Sequence, residues 1–101
     1  MNEIITKNKQ NLVALFQKNK VKKAYVFGSV LNSNFNENSD IDLIIDFESN
    51  LQPLEKGELW WSLYEDLKKL FNKEVDIINE SKIKNPYFLQ EINSTKELIY
   101  G

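Results

Sequence analysis

The sequence predicts an α/β fold, helices and strands in the order α-β-α-β-α-β-α-β. Three observations carry this. Short runs rich in β-branched and aromatic residues alternate with segments whose apolar residues recur at helical spacing. Glycine, asparagine, serine and proline punctuate the junctions between them. At 101 residues and 42% apolar content, the chain is enough for one core, and a single domain over residues 1–101 is expected.

The elements follow in order. Residues 2–19 read as a helix, with Ile5, Leu12, Leu15 and Phe16 near one face and Lys7, Lys9, Gln10 and Gln17 opposite. Asn19-Lys20 ends it. Lys18, Lys20, Lys22 and Lys23 form a small basic cluster, ordinarily a solvated surface. Residues 23–27 form the first strand, and Gly28-Ser29 turns the chain. A short helix over 30–35 uses Val30, Leu31 and Phe35 as apolar anchors. Turn formers dominate 32–39, giving a loop. Residues 40–47 are the second strand; both its faces are apolar from 43 to 45, so it is expected to be central and buried. A loop over 48–54 reaches Pro53. A long helix over 54–71 follows, with Trp60, Leu63, Tyr64, Leu67, Leu70 and Phe71 on one stripe and Trp61 off it. Trp61 is expected either to stand exposed as an interface anchor or to lie under a loop. Residues 74–78 form a third strand bearing the lone acid Asp76. Asn85-Pro86 opens a last helix with Phe88, Leu89 and Ile92 on its apolar face, and residues 96–100 close the sheet.

Composition narrows the chemistry. Net charge is −2, which does not suit a general nucleic-acid binder, so no direct nucleic-acid binding is expected. There is no cysteine, which removes disulfides and thiolate chemistry and fits a cytoplasmic protein. There is no histidine either, which removes the usual general base, the usual zinc ligand and any Ser-His triad. Chemistry must rest on carboxylates, lysines, hydroxyls and metal. No apolar run reaches the ~18–20 residues of a membrane span, and the N-terminus lacks the pattern of a signal peptide.

The stretch from Tyr25 to Phe47 concentrates the functional signal. Gly28-Ser29 ends one strand; after ten intervening residues Asp40 and Asp42 open the next. Residues two apart on a strand share a face, so the two carboxylates project together. Such neighbours repel unless a cation lies between them or one is protonated. A hard divalent ion such as Mg²⁺ resolves that conflict. Gly28 permits a sharp turn and close approach of a ligand. Ser29 then starts a helix, where outward N–H groups favour phosphate. A phosphate cradle facing paired aspartates describes a nucleotide-handling site.

Gly28-Ser29, ten residues, then Asp40-Ile41-Asp42 resembles the signature of the polymerase β-like nucleotidyltransferase superfamily. The short length and the run Ser39-Asp40-Ile41-Asp42-Leu43 look most like its minimal nucleotidyltransferases, often antitoxins paired with a HEPN-domain toxin. The resemblance implies a palm-like mixed sheet flanked by helices. It implies two Mg²⁺ ions held by Asp40, Asp42 and a third carboxylate on the neighbouring strand, where Asp76 stands. It places Gly28, Ser29 and Ser39 at the nucleotide. It implies a type VII-like antitoxin, an enzyme that transfers AMP from ATP to a tyrosine of a HEPN RNase toxin. Members of this group often carry Arg-x-Arg-Gly after Gly-Ser, whereas this chain has Val30-Leu31-Asn32-Ser33 and no arginine anywhere. That departure keeps a second expectation open, an antitoxin that neutralises its toxin by direct binding. The chain has no residues for the added helical domain of larger relatives, so the base pocket and acceptor site are expected from a second protein or a second copy.

Overall fold

A computed structural model describes residues 3–31 and 35–101, the Ser29 side chain excepted. Four strands form one mixed sheet in the order β3-β2-β1-β4. They are β1 (Val21–Phe27), β2 (Ile41–Phe47), β3 (Val75–Asn79) and β4 (Glu97–Tyr100). β1 runs antiparallel to β2 and to β4, while β2 and β3 are parallel. Parallel neighbours need a long crossover. The helix α3 (Pro53–Phe71) supplies it.

The N-terminal helix predicted over 2–19 is two helices, α1 (Glu3–Thr6) and α2 (Lys9–Lys18). Asn8 explains the break. Its side-chain amide donates to the Ile4 carbonyl at 2.8 Å, the acceptor a continuous helix would offer to the Asn8 backbone N–H. Asn2 lies outside the described residues. α2 gives way to Lys20 and α3 to Asn72, both in the left-handed region with φ of 57° and 53°. Pro53 occupies the first turn of α3, where its missing N–H costs nothing. In α4 (Pro86–Thr95) the Asn85 side chain caps by accepting from the N–H groups of Tyr87 and Phe88.

Strand alternation sorts the core. Ala24 and Val26 of β1, Leu43 and Ile45 of β2, and Val75 and Ile77 of β3 join Leu12, Phe16, Leu63, Leu67 and Phe71 in one buried cluster. α2 and α3 therefore cover one face of the sheet. Ile44 and Ile92 are buried outside that cluster. Ile44 points to the opposite face, and α4 brings Ile92 to a cavity there that Phe27 also lines. β2 is central, as predicted, and all its residues but Asp42 and Asp46 are buried.

Both edge strands have an outward carbonyl capped by a side chain. The Trp60 indole N–H donates to Ile77 O at 3.1 Å on β3, and Lys9 Nζ donates to Ile99 O at 2.7 Å on β4. Such caps blunt edges that would otherwise pair with another chain. Among the described residues no helix is long and apolar enough to cross a membrane.

Candidate functional site

Register gathers the acids. Asp42 of β2 lies opposite Phe27 of β1 on one side and Asp76 of β3 on the other. Asp40 stands one residue before β2 and is exposed, as is Asp76, whereas Asp42 is half-buried. The Asp42 carboxyl is pushed up to about 6, first by burial and then by the negative charges of Asp76 and Asp40. The structure thus brings the three predicted carboxylates to one corner of the sheet, on the face that carries α4.

Gly28 is needed at that corner for two reasons. Its φ is +75°, and a Cβ built there would lie 2.5 Å from Asp42 Oδ2. Only glycine takes that backbone conformation freely and leaves room for the carboxylate. The helix predicted over 30–35 differs. Gly28–Leu31 form a single 3-10 turn, and residues 32–34 lie outside the described residues. A turn this short has little macrodipole. Any phosphate here meets individual backbone N–H groups. The Ser29 side chain also lies outside the described part.

Ser39 is used within its own loop. Its hydroxyl accepts from Asn36 N–H at 3.1 Å, and its N–H donates to Asn36 O at 3.1 Å. Asp46 pairs in register with Lys23, away from the carboxylate corner. The basic cluster is partly spent on surface ion pairs, Lys18 with Asp66 and Lys20 with Glu55. One residue absent from the sequence reading stands out: Lys73 Nζ donates to Asn36 O, Glu37 O and Ser39 O at 3.0, 2.7 and 3.0 Å. Nothing in the local sequence marks it, because its partners are carbonyls 34 to 37 residues away.

Beside Gly28 opens a cavity of about 550 Å³, lined by Phe27, Leu31, Phe88 and Ile92 together with Glu91, Thr95 and Glu97. Part of the wall around a bound molecule therefore comes from this chain itself. A second cavity, of about 600 Å³, lies at the far end of β2 and β3, lined by Phe47, Lys56, Trp60, Trp61, Ile77 and Lys82 among others.

Hard carboxylate oxygens, charge crowding at Asp42 and the space left by Gly28 fit a divalent ion of the Mg²⁺ type. Among the described residues no three acids are close enough to enclose an ion alone. Mg²⁺ ordinarily takes one or two carboxylates and completes its shell with water and substrate phosphates. The donor set is consistent with that mode.

Comparison with known proteins agrees with this geometry. The polymerase β nucleotidyltransferase family pattern matches residues 10–101. A Methanocaldococcus jannaschii protein provisionally named protein adenylyltransferase MJ1379 is 37% identical over 98 residues, 97% of this chain and 91% of its own length. The fold superposes on a chain of a toxin–antitoxin crystal structure with AMP-PNP at a TM-score of 0.71, with 22% identity over 93% of this chain and 73% of that one. It also superposes on a chain of a tri-AMPylated Shewanella oneidensis HEPN toxin in complex with MNT antitoxin, at a TM-score of 0.65, with 20% identity over 95% and 71% of the two chains. At these identities the structural likeness speaks to fold alone; the family match and the archaeal relative go further. This chain is a nucleotidyltransferase, a member of the polymerase β nucleotidyltransferase family.

Proposed function

We propose that the chain is an Mg²⁺-dependent protein adenylyltransferase that transfers AMP from ATP to a tyrosine hydroxyl of a HEPN RNase toxin, and so acts as its antitoxin in the cytoplasm. One observation carries the reading: Asp42 is flanked in register by Asp76, approached by Asp40, and backed by a glycine that leaves its carboxylate room. Relatives and structural neighbours named as adenylyltransferase, as a complex with AMP-PNP and as an AMPylated HEPN toxin with its antitoxin support the nucleotide and the partner.

The step is an in-line displacement. The tyrosine oxygen forms a bond to the α-phosphorus, the bond to the β-phosphate oxygen breaks, and pyrophosphate leaves. Asp40 and Asp42 would hold both ions of a two-metal site, and Asp76 the one nearer the acceptor. When bound, the ions neutralise charge developing on the attacking and leaving oxygens. Asp76, exposed at the corner, would help to take the hydroxyl proton. Gly28 and the N–H groups of its turn would face the phosphates. A bulky anion added beside an RNase site blocks RNA phosphates by repulsion and bulk.

The test is the intact mass of the HEPN partner after incubation with this protein, ATP and Mg²⁺. Gains in whole AMP units, lost with Asp40→Asn, are expected; an unmodified partner would overturn the reading.

A second reading, neutralisation by contact, is favoured by the exposure of Trp61, 61% accessible on α3, and by the absence of arginine. It predicts full inhibition of the toxin without ATP, weakened by Trp61→Ala. Inhibition that strictly needs ATP removes it.

A further inference from the structure

We propose that Lys73 is a positioning residue for the metal-binding corner: its ammonium clamps the loop that delivers Asp40 and thereby sets the affinity of the site for a divalent ion bound with nucleotide. The inference rests on the functional reading above.

An ammonium carries three protons in a tripod. At Lys73 all three have a carbonyl acceptor, from Asn36, Glu37 and Ser39, at 3.0, 2.7 and 3.0 Å. The Phe35 ring centroid lies 5.0 Å from the same nitrogen, within cation–π range. The loop from 35 to 39 is therefore gathered round one cation. The next residue in the chain completes the grip: Glu74 O accepts from Ile41 N–H at 3.1 Å. Asp40 sits between the two holds, with the Ser39 carbonyl bound to Lys73 and the Ile41 amide bound to Glu74. Two residues further on, Asp76 stands in register with Asp42. The segment from 73 to 76 thus places two of the three acids relative to the third.

Carboxylates of like charge drive one another apart, and the clamp adds holds from a segment remote in sequence to the loop's own bonds between Asn36 and Ser39. The clamp acts before any ion binds, which is preorganisation in the sense of a ligand's supporting shell. A surface lysine ordinarily leaves its ammonium in water. Lys73 instead spends it on backbone.

The chain has no cysteine, so Lys73→Cys creates a single thiol. Alkylation with 2-bromoethylamine then restores an ammonium at nearly the original reach. Methylthiolation of the same thiol gives an uncharged control. The probe is Mn²⁺ with AMP-PNP, with free Mn²⁺ followed by electron paramagnetic resonance. Loss of the clamp is expected to raise the Mn²⁺ concentration at half-occupancy roughly 10- to 100-fold, the usual effect of losing a supporting partner. Amide exchange at Ser39 and Ile41 should accelerate. Aminoethylation should restore both readouts, and methylthiolation neither. Unchanged Mn²⁺ affinity in Lys73→Cys, or affinity that aminoethylation fails to restore, would overturn the proposal. If the cysteine variant does not fold, Lys73→Met, similar in length and uncharged, takes the same Mn²⁺ titration: weakened binding supports the proposal and unchanged binding overturns it. Failure of the native chain to bind Mn²⁺ with AMP-PNP overturns the functional reading and the inference with it. Native binding that Lys73 variants leave intact overturns the inference alone.

Discussion

The two ends of the β2–β3 pair are built on opposite plans. At the N-terminal end, half-buried Asp42 is crowded by Asp76 and Asp40 and backed by a glycine whose missing Cβ makes room for its carboxylate. At the C-terminal end, Trp61 sits edge-on to Trp60, and Trp60 stacks in turn at 5.5 Å on Tyr64, which reaches back to Glu74 at the start of β3. Lys56 and Lys82 line the groove there. At the aromatic end Trp60 is held by ring contacts and its bond to the β3 edge. The acidic end is uncomfortable, since its charges repel until something cationic arrives. Strain of that kind, held by the surrounding structure, marks the end at which chemistry is expected. The aromatic end offers surface, with Leu54 and Trp61 exposed along α3.

Four measurements test this contrast. The largest effect is expected for Asp42→Asn. Transfer of AMP should fall by on the order of a hundred- to a thousandfold or more, the scale of losing a group that organises transition-state charge. The melting temperature at pH 7 should hold or rise, because a repelling charge is gone. A variant that unfolds would make Asp42 structural and erase the difference between the two ends.

Gly28→Ala comes next. It forces a side chain to φ +75° and into the Asp42 carboxylate, and a non-glycine residue in that region costs about 1–3 kcal/mol. Thermal or urea unfolding reads the loss, and AMP-PNP binding should weaken with it. A neutral substitution would mean that the corner is looser than its geometry.

Gly57 makes the counterpart at the aromatic end. It lies inside α3, and a Cβ there would meet nothing within 4 Å. Gly57→Ala should therefore stabilise the isolated chain by roughly 0.5–1 kcal/mol, the helix-propensity difference. Destabilisation would show that the helix uses this glycine for its own packing.

The smallest effect is on pH. Asp42 titrates near 6 in the folded chain against an ordinary 3.8. Between those values the folded state holds more protons than the unfolded one, so this group's contribution to stability rises as pH falls through about 6 and is lost as pH climbs back. Much of the group faces solvent, which keeps the effect modest. Unfolding curves at pH 5 and pH 7, compared with those of Asp42→Asn, isolate it. Equal dependence in both proteins would place the raised affinity for protons elsewhere.

Most of the fold and the shared face of Asp40 and Asp42 were legible beforehand because they rest on local rules. Alternation in 40–47 announced a central strand, the helical stripe from Trp60 to Phe71 announced α3, and the spacing of Asp40 and Asp42 announced a shared face. Asp76 was marked as a candidate by the family resemblance, since a lone acid near a strand start is ordinarily surface. Other features escaped. The break at Asn8 depends on one side chain preferring a carbonyl one turn back over solvent. The turn at Gly28–Leu31 is shorter than its apolar anchors suggested. The bond that the Ser39 hydroxyl accepts from Asn36 N–H in its own loop had no local signal either. Trp61 was undecidable, since a residue off the stripe is covered or bare according to loops that periodicity does not describe.

Local residue order dictates which residues alternate, which recur at helical spacing, and that two carboxylates project from one strand start after a glycine turn. Those are consequences of backbone geometry and need no knowledge of distant partners. Tertiary structure alone decided that Asp76 falls in register with Asp42, that the Gly28 position collides with any side chain beyond hydrogen, and that Lys73 closes on carbonyls more than thirty residues away. Each depends on how strands and loops remote in sequence come to lie side by side, which is set by burial of the whole core.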